Sequence, residues 1–151
     1  MIVGLAIHAL GAVVWVGGMF FAYVILRPGA GALEPAVRLS LWCRVFSRFF
    51  GWVWLSVAAL LASGFAMVFL ALGGLEAIGF SVRAMMALGL AMVAIFAIVY
   101  FAPWPRLRDA VSSANWPVAD KHLRQIRFLV GLNLVLGLVT VVLGTTGLPY
   151  R

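Results

Sequence analysis

The residue most able to do chemistry in this sequence is a histidine inside a long apolar segment. Small side chains and one large ring follow His8 at helical spacing; they are Gly11, Ala12, Trp15, Gly18, Met19 and Ala22. Because small residues let helix backbones approach closely, this stripe is predicted to face other helices rather than lipid. A polar group within a membrane is costly, which favours a functional role for His8. The alternative is a structural histidine bonded to a carbonyl or hydroxyl.

Methionine supplies the other soft ligands. Met67 lies near the predicted outer end of the second apolar span, and Met85 and Met86 lie near that of the third. All three are predicted at roughly the depth of His8. Thioether and imidazole ligands suit Cu(I), and a histidine/methionine pair also suits haem iron. The alternative is that these methionines only fill gaps between helices.

Two further side chains could take part in binding. Arg83 is predicted at the outer entrance of the third span, where it could extend to lipid headgroups or pair with an anionic group such as a haem propionate. Glu76, in the same outer loop, is its simplest protein partner. His122 stands among charged residues of a loop on the other face and is predicted to be solvated. The two histidines are therefore not expected to share one metal or haem.

The composition sets the elements that must position these residues. Of the 151 residues, 66% are hydrophobic and 10% charged, whereas a soluble domain is roughly half apolar and a quarter charged. Four apolar runs are long enough to cross a bilayer, at about 3–26, 49–72, 82–102 and 126–148. They lack the alternation of barrel strands, so helices are the consistent solution in lipid. We predict a single-domain, all-α integral membrane protein, a four-helix transmembrane bundle, with an amphipathic segment over 30–48 and a polar loop after Pro105.

The charges predict the orientation of the bundle. Nine basic residues fall in the loops after spans one and three, against Arg83 and Arg151 on the other side; the nine are Arg27, Arg38, Arg44, Arg48, Arg106, Arg108, Lys121, Arg124 and Arg127. The positive-inside rule places those loops in the cytoplasm and both termini outside, which is the periplasm for a bacterial inner membrane. The net charge of +7 comes from scattered residues, so no nucleic-acid binding is predicted. Phosphate-loop, zinc-hydrolase and serine-triad motifs are absent from the sequence, which argues against hydrolytic and ATP-driven functions.

The first span resembles the opening helix of the CopD-like, or copper resistance D, membrane proteins. It reads His8-Ala-Leu-Gly-Ala-Val-Val-Trp15-Val-Gly17-Gly18, and members of that family begin similarly with His, a Trp seven residues on, and Gly-Gly. The stretch from Arg44 to Arg48 and the start of span four from Ile126 are also similar. The resemblance implies copper uptake or handling at the inner membrane through a periplasmic entry site. For this chain, the resemblance implies that His8 is a residue of that entry site.

The same spacing of His8 and Trp15 resembles a second family, the HemJ-type protoporphyrinogen oxidases, which bind haem b. This resemblance implies an axial haem ligand at His8, with Arg83 standing where that family has lysine. A third hypothesis needs no cofactor: the chain is a homo-oligomer or a subunit of a larger membrane complex, held by the small residues of spans one and four.

Overall fold

Four helical segments of membrane length form the molecule. The computed structural model describes residues 2–146, and the segments run over Ile2–Ala32, Pro35–Leu70, Phe80–Ser112 and Trp116–Thr146. Each is apolar and long enough to cross a bilayer, and the described residues contain no strand. The predicted all-α, four-helix transmembrane architecture is therefore confirmed. The predicted end of span four and the outward charge of Arg151 lie outside the described residues.

Two of the four segments contain more than one regular element, and the other two begin well before the apolar runs predicted for them. The first comprises α1, a π-helical turn over Phe21–Leu26, the short α2 and a 3₁₀ turn over Ala30–Ala32. The third is divided at Ala102 into α4 and α5. The helices are α1 (Ile2–Phe20), α2 (Arg27–Gly29), α3 (Pro35–Leu70), α4 (Phe80–Phe101), α5 (Pro103–Ser112) and α6 (Trp116–Thr146).

Two regions differ from the sequence prediction. The amphipathic stretch over 30–48 is not a separate element, because α3 begins at Pro35 and runs without a break for 36 residues. The stretch after Pro105 was predicted as a polar loop, and this was wrong: α5 continues to Ser112, and only residues 113–115 separate it from α6. Pro103 opens α5 rather than ending helical structure, since proline is well tolerated in the first turn of a helix.

The helices pack as an antiparallel bundle in which α1 lies mainly against α3, and α4 mainly against α6. α5 folds onto α6, and α1 also contacts α6. One end of the bundle carries His8, Met67 and Met85 and is called the histidine end below. The opposite end carries Arg27 and Arg127, and it is called the arginine end.

The outward faces of all four segments are apolar. Among the described residues, many large hydrophobic side chains are exposed, for example Leu10, Val13, Leu55, Phe101, Phe128 and Val142. In water such a surface would be an aggregation hazard, whereas a bilayer solvates it. The chain is therefore a multi-pass membrane protein whose outer surface is matched to lipid.

Adjacent glycines on α1 provide a test of this packing. A Cβ at Gly18 would lie 2.3 Å from Cε2 of Phe49, so the Phe49 ring would have to move, whereas a Cβ at Gly17 meets nothing within 4 Å. We expect Gly18→Ala to lower the free energy of unfolding by about 1 kcal/mol, at the low end of overpacking costs. Gly17→Ala, the matched control, should leave it unchanged or raise it slightly. Unfolding in mixed micelles followed by circular dichroism measures both, and equal effects of the two variants would contradict the packing of α1 on α3.

Candidate metal site

His8 lies on the face of α1 that packs against α3. Its side chain is half-buried, and its Nδ1 is 3.0 Å from Oγ of Ser63. Along the predicted stripe, Gly11, Trp15, Met19 and Ala22 are buried. The prediction that this stripe faces the bundle interior is therefore confirmed, and the partner helix is α3.

The hydrogen bonds around Ser63 assign the tautomer of His8. The Ser63 hydroxyl has one proton, which it donates to the carbonyl of Ala59 at 2.5 Å. Ser63 Oγ therefore accepts from His8, whose Nδ1 carries the ring proton. The neutral ring then has its free lone pair on Nε2, the arrangement in which a hydrogen-bonded histidine binds a metal.

Small residues on both helices allow the imidazole to lie this close to α3. A Cβ at Gly64 would lie 3.3 Å from Cε1 of His8. One turn further along α1, a Cβ at Gly11 would lie 3.0 Å from Cγ of Leu60. Because neither glycine carries a side chain, α1 and α3 can approach each other closely at the level of His8.

Met67 is brought to the same seam. A Cβ at Gly4, one turn before His8, would lie 3.6 Å from Cγ of Met67. Met67 is likewise one turn beyond Ser63 on α3, so imidazole and thioether are displaced by about 6 Å along the helix axes. Met67 and His8 thus lie on one helix–helix seam at successive turns.

The methionines of α4 lie on a different seam. Cε of Met85 is 3.0 Å, and its Sδ 3.6 Å, from the position of a Cβ at Gly144 on α6. Met86, the next residue, is half-buried on α4. The four side chains predicted to share a depth are thus divided, with His8 and Met67 between α1 and α3 and Met85 between α4 and α6.

Arg83 is exposed, and its guanidinium donates to the backbone carbonyl of Glu76 at 3.5 Å. The expected pairing with Glu76 thus involves the main chain rather than the carboxylate. His8 bonds to α3 and Arg83 to the loop before α4, so the structure does not bring the two together around one ligand. The haem hypothesis, which places both against one porphyrin, gains nothing from this geometry.

His122 differs from the prediction of a solvated side chain. It is buried near the start of α6, and its Nδ1 is 2.9 Å from Oε1 of Gln125. The flanking charges misled the prediction, because they point outward while His122 shares the inner face with Leu123 and Ile126. Within residues 2–146, His, Cys, Asp and Glu form no cluster of three or more that could hold a metal. The candidate ligands that share a helix–helix seam at the histidine end are the imidazole of His8 and the thioether of Met67.

An aromatic cluster, which the sequence reasoning missed, fills the bundle between the two ends. Phe50 lies at its centre, with ring centroids 5.5 Å from Phe96 and 5.3 Å from Trp104. Phe96 in turn meets Trp15 of the histidine stripe at 6.1 Å. The signal was present in the sequence, because α3 carries aromatic residues at every fourth position, which puts them on one face; these are Trp42, Phe46, Phe50 and Trp54.

The fold is that of a multi-pass helical membrane protein, and an imidazole and a thioether lie on one helix–helix seam at one of its ends. The family model described as copper resistance protein D matches residues 43–146. The chain therefore belongs to the copper resistance protein D family, and the predicted resemblance is confirmed. The matched region includes Met67 and both methionines of α4 but begins after α1, so it does not cover His8. No curated protein and no solved structure matches the chain.

Proposed function

We propose that this copper resistance membrane protein binds Cu(I) as cargo at its histidine end, with Nε2 of His8 and the thioether of Met67 as ligands. The observation that carries the proposal is the hydrogen bond from His8 to Ser63, because it leaves Nε2 as the free donor atom. Membership of the copper resistance protein D family supports copper as the metal.

The donor set suits Cu(I) better than harder ions. Imidazole and thioether are soft, neutral ligands, and the site offers neither the carboxylates that hard divalent cations prefer nor a thiolate. Two neutral ligands leave the positive charge of the ion uncompensated. Such a site binds less tightly than a thiolate site, which suits a protein that passes its metal on.

The proposed location follows from the charges. The nine basic residues at the arginine end support a cytoplasmic location for that end, by the positive-inside rule. The histidine end and the N-terminus then face the outer side, which is the periplasm in a bacterial inner membrane. His8 and Met67 would thus meet copper that arrives from outside the cell.

The aromatic cluster limits what a single chain can do with that copper. Phe50, Phe96 and Trp104 are all buried and pack ring against ring beneath the histidine end. An ion crossing the interior of one bundle would have to displace these rings. The function we propose is therefore capture and hand-on at the outer end, and any passage across the membrane would use an interface with another chain.

Paired methionine variants test which thioether serves. We expect Met67→Leu to weaken Cu(I) binding by roughly 10-fold, since each 1.4 kcal/mol of lost ligand interaction is a factor of ten. Met85→Leu, a control at similar depth on the other seam, should bind as wild type does. The measurement is a competition titration with a chromogenic Cu(I) chelator on purified protein in detergent. Equal losses in both variants, or a loss only in Met85→Leu, would refute the assignment of Met67.

A further inference from the structure

The arginine end contains an open basic cavity that the proposed copper site does not use. It has a volume of about 520 Å³ and is lined by Tyr23, Val24, Arg27, Pro28, Gly31, Arg38 and Arg127. This volume lies within the roughly 300–1,000 Å³ typical of small-ligand sites. It is called the arginine cavity below.

The positive charge of the arginine cavity is poorly compensated by the protein. Three guanidinium groups line it, and among the described residues no carboxylate does. Asp120 lies 3.7 Å from Arg38, but it does not line the cavity and it also pairs with Arg124. The side chains of Arg27 and Arg127 have no ion pair among the described residues and instead lie over the rings of Tyr23 and Trp42.

Two of the arginines that line the cavity also carry donors without acceptors. The Nε atoms of Arg38 and Arg127 are buried and have no hydrogen-bond partner among the described residues. A buried donor without a partner is costly, and a charged one more so. The protein thus leaves part of the charge and of the hydrogen-bonding capacity of these arginines unsatisfied, and an anion bound in the cavity would compensate the charge.

The backbone holds these arginines in place. The π-helical turn over Phe21–Leu26 directly precedes Arg27 and carries Tyr23, and π-turns within helices occur frequently at functional sites. On α6, Gly131 makes room for the ring, since a Cβ there would lie 2.8 Å from Cε2 of Tyr23. The cavity is thus built from three segments of the chain rather than by the chance approach of surface side chains.

We propose that the arginine cavity binds a phosphate group, either the headgroup of an anionic phospholipid or a free phosphate. Guanidinium groups match phosphate oxygens through paired N–H donors, which a compact cation does not do. The cavity lies at the end predicted to face the cytoplasm, where basic pockets between transmembrane helices receive anionic headgroups. This inference does not depend on the copper site, which lies at the other end of the bundle.

The experiment titrates purified, delipidated protein in detergent with phosphatidylglycerol, with phosphatidylcholine and with inorganic phosphate. Thermal stability and native mass spectrometry report binding. The cavity variant Arg27→Gln/Arg127→Gln is expected to lose about 30-fold in affinity, at roughly fivefold for each arginine. The charge-matched control Arg44→Gln/Arg106→Gln removes two exposed arginines that do not line the cavity, and it should retain binding.

A second pair keeps the test decisive if the double variant does not fold. Gly31 lines the cavity, and a Cβ there meets nothing within 4 Å, so Gly31→Glu introduces a carboxylate without a clash. Gly29→Glu is its control, because Gly29 is equally open but does not line the cavity. Selective binding of phosphatidylglycerol that Gly31→Glu abolishes supports a lipid ligand, and the same pattern with inorganic phosphate supports a free anion. Equal losses in variant and control, or no binding of either phosphate source by wild type, would overturn the proposal.

Discussion

Replacing His8 by alanine is expected to weaken Cu(I) binding by about 100-fold or more. The substitution removes one of the two proposed ligands, and loss of a ligand should exceed the 10–100-fold that follows from loss of a residue that only orients one. The measurement is the chelator competition in detergent, with circular dichroism to establish that the helices are intact. His8→Met retains a soft ligand and should fall between alanine and wild type.

Ser63→Ala separates the role of the ligand from that of its orientation. This variant keeps the imidazole but removes the acceptor of the Nδ1 proton, so the ring can turn or change tautomer. A loss of about 10–100-fold is expected, smaller than that of His8→Ala. If His8→Ala binds Cu(I) as wild type does while its helices are intact, the proposed site is wrong. If Ser63→Ala binds Cu(I) as wild type does and His8→Ala does not, His8 is a ligand and its hydrogen bond to Ser63 is only structural.

Several features of the fold could be predicted from the sequence because they depend on one helix at a time. The apolar runs fixed four membrane helices, since length and hydropathy alone decide whether a segment can cross lipid. The face of α1 that includes His8 and Trp15 followed from helical spacing of small residues. The family also followed from the sequence, although the match covers residues 43–146 and the motif that suggested it lies mostly before them.

Other features depend on how helices are arranged in space, which periodicity does not give. The sequence predicts one depth for Met67 and Met85 but does not say which helix each side chain packs against. The structure shows that Met67 lies between α1 and α3, whereas Met85 lies between α4 and α6. His122 was predicted to be solvated because charged residues flank it in the sequence. In the structure one face of α6 is buried from its first turn, and His122 lies on that face. The arginine cavity could not be predicted either, because it forms only if α3 begins as early as Pro35. This early start places Arg38 on α3 beside Arg27 of the first segment and Arg127 of α6.

The two ends of the bundle offer opposite chemistry, and the aromatic cluster separates them. An imidazole and a thioether lie at the histidine end, and guanidinium groups with little compensating charge lie at the arginine end. A copper cation at the arginine end would be repelled by three positive charges. Charge and packing thus act in the same direction, and both support the proposed copper exchange at the histidine end rather than passage through a single bundle.

Phe50→Ala is expected to cause the largest loss of stability of any single change considered. The ring of Phe50 is 2% exposed. Besides the adjacent Phe49, it contacts four aromatic rings on α3, α4 and α5, which are those of Phe46, Phe96, Tyr100 and Trp104. Truncation of a buried Phe costs roughly 3–5 kcal/mol in a water-soluble core. In a bilayer, the part of this cost that comes from transferring the side chain out of water is small, since lipid tails are as apolar as the side chain. The cost of the lost packing contacts remains, and we therefore expect Phe50→Ala to lower the free energy of unfolding by about 2 kcal/mol.

Phe128→Ala is the matched control for this experiment, because Phe128 is 72% exposed on α6 and faces lipid. It should change the free energy of unfolding by less than Phe50→Ala in the same mixed-micelle titration. Cu(I) affinity should be unchanged in Phe50→Ala, since the ring lies below the His8 level and touches neither proposed ligand. A loss of copper binding equal to that of His8→Ala would mean that the cluster and the metal site are one structure, whereas a stability equal to that of Phe128→Ala would mean that the rings do not hold the bundle closed.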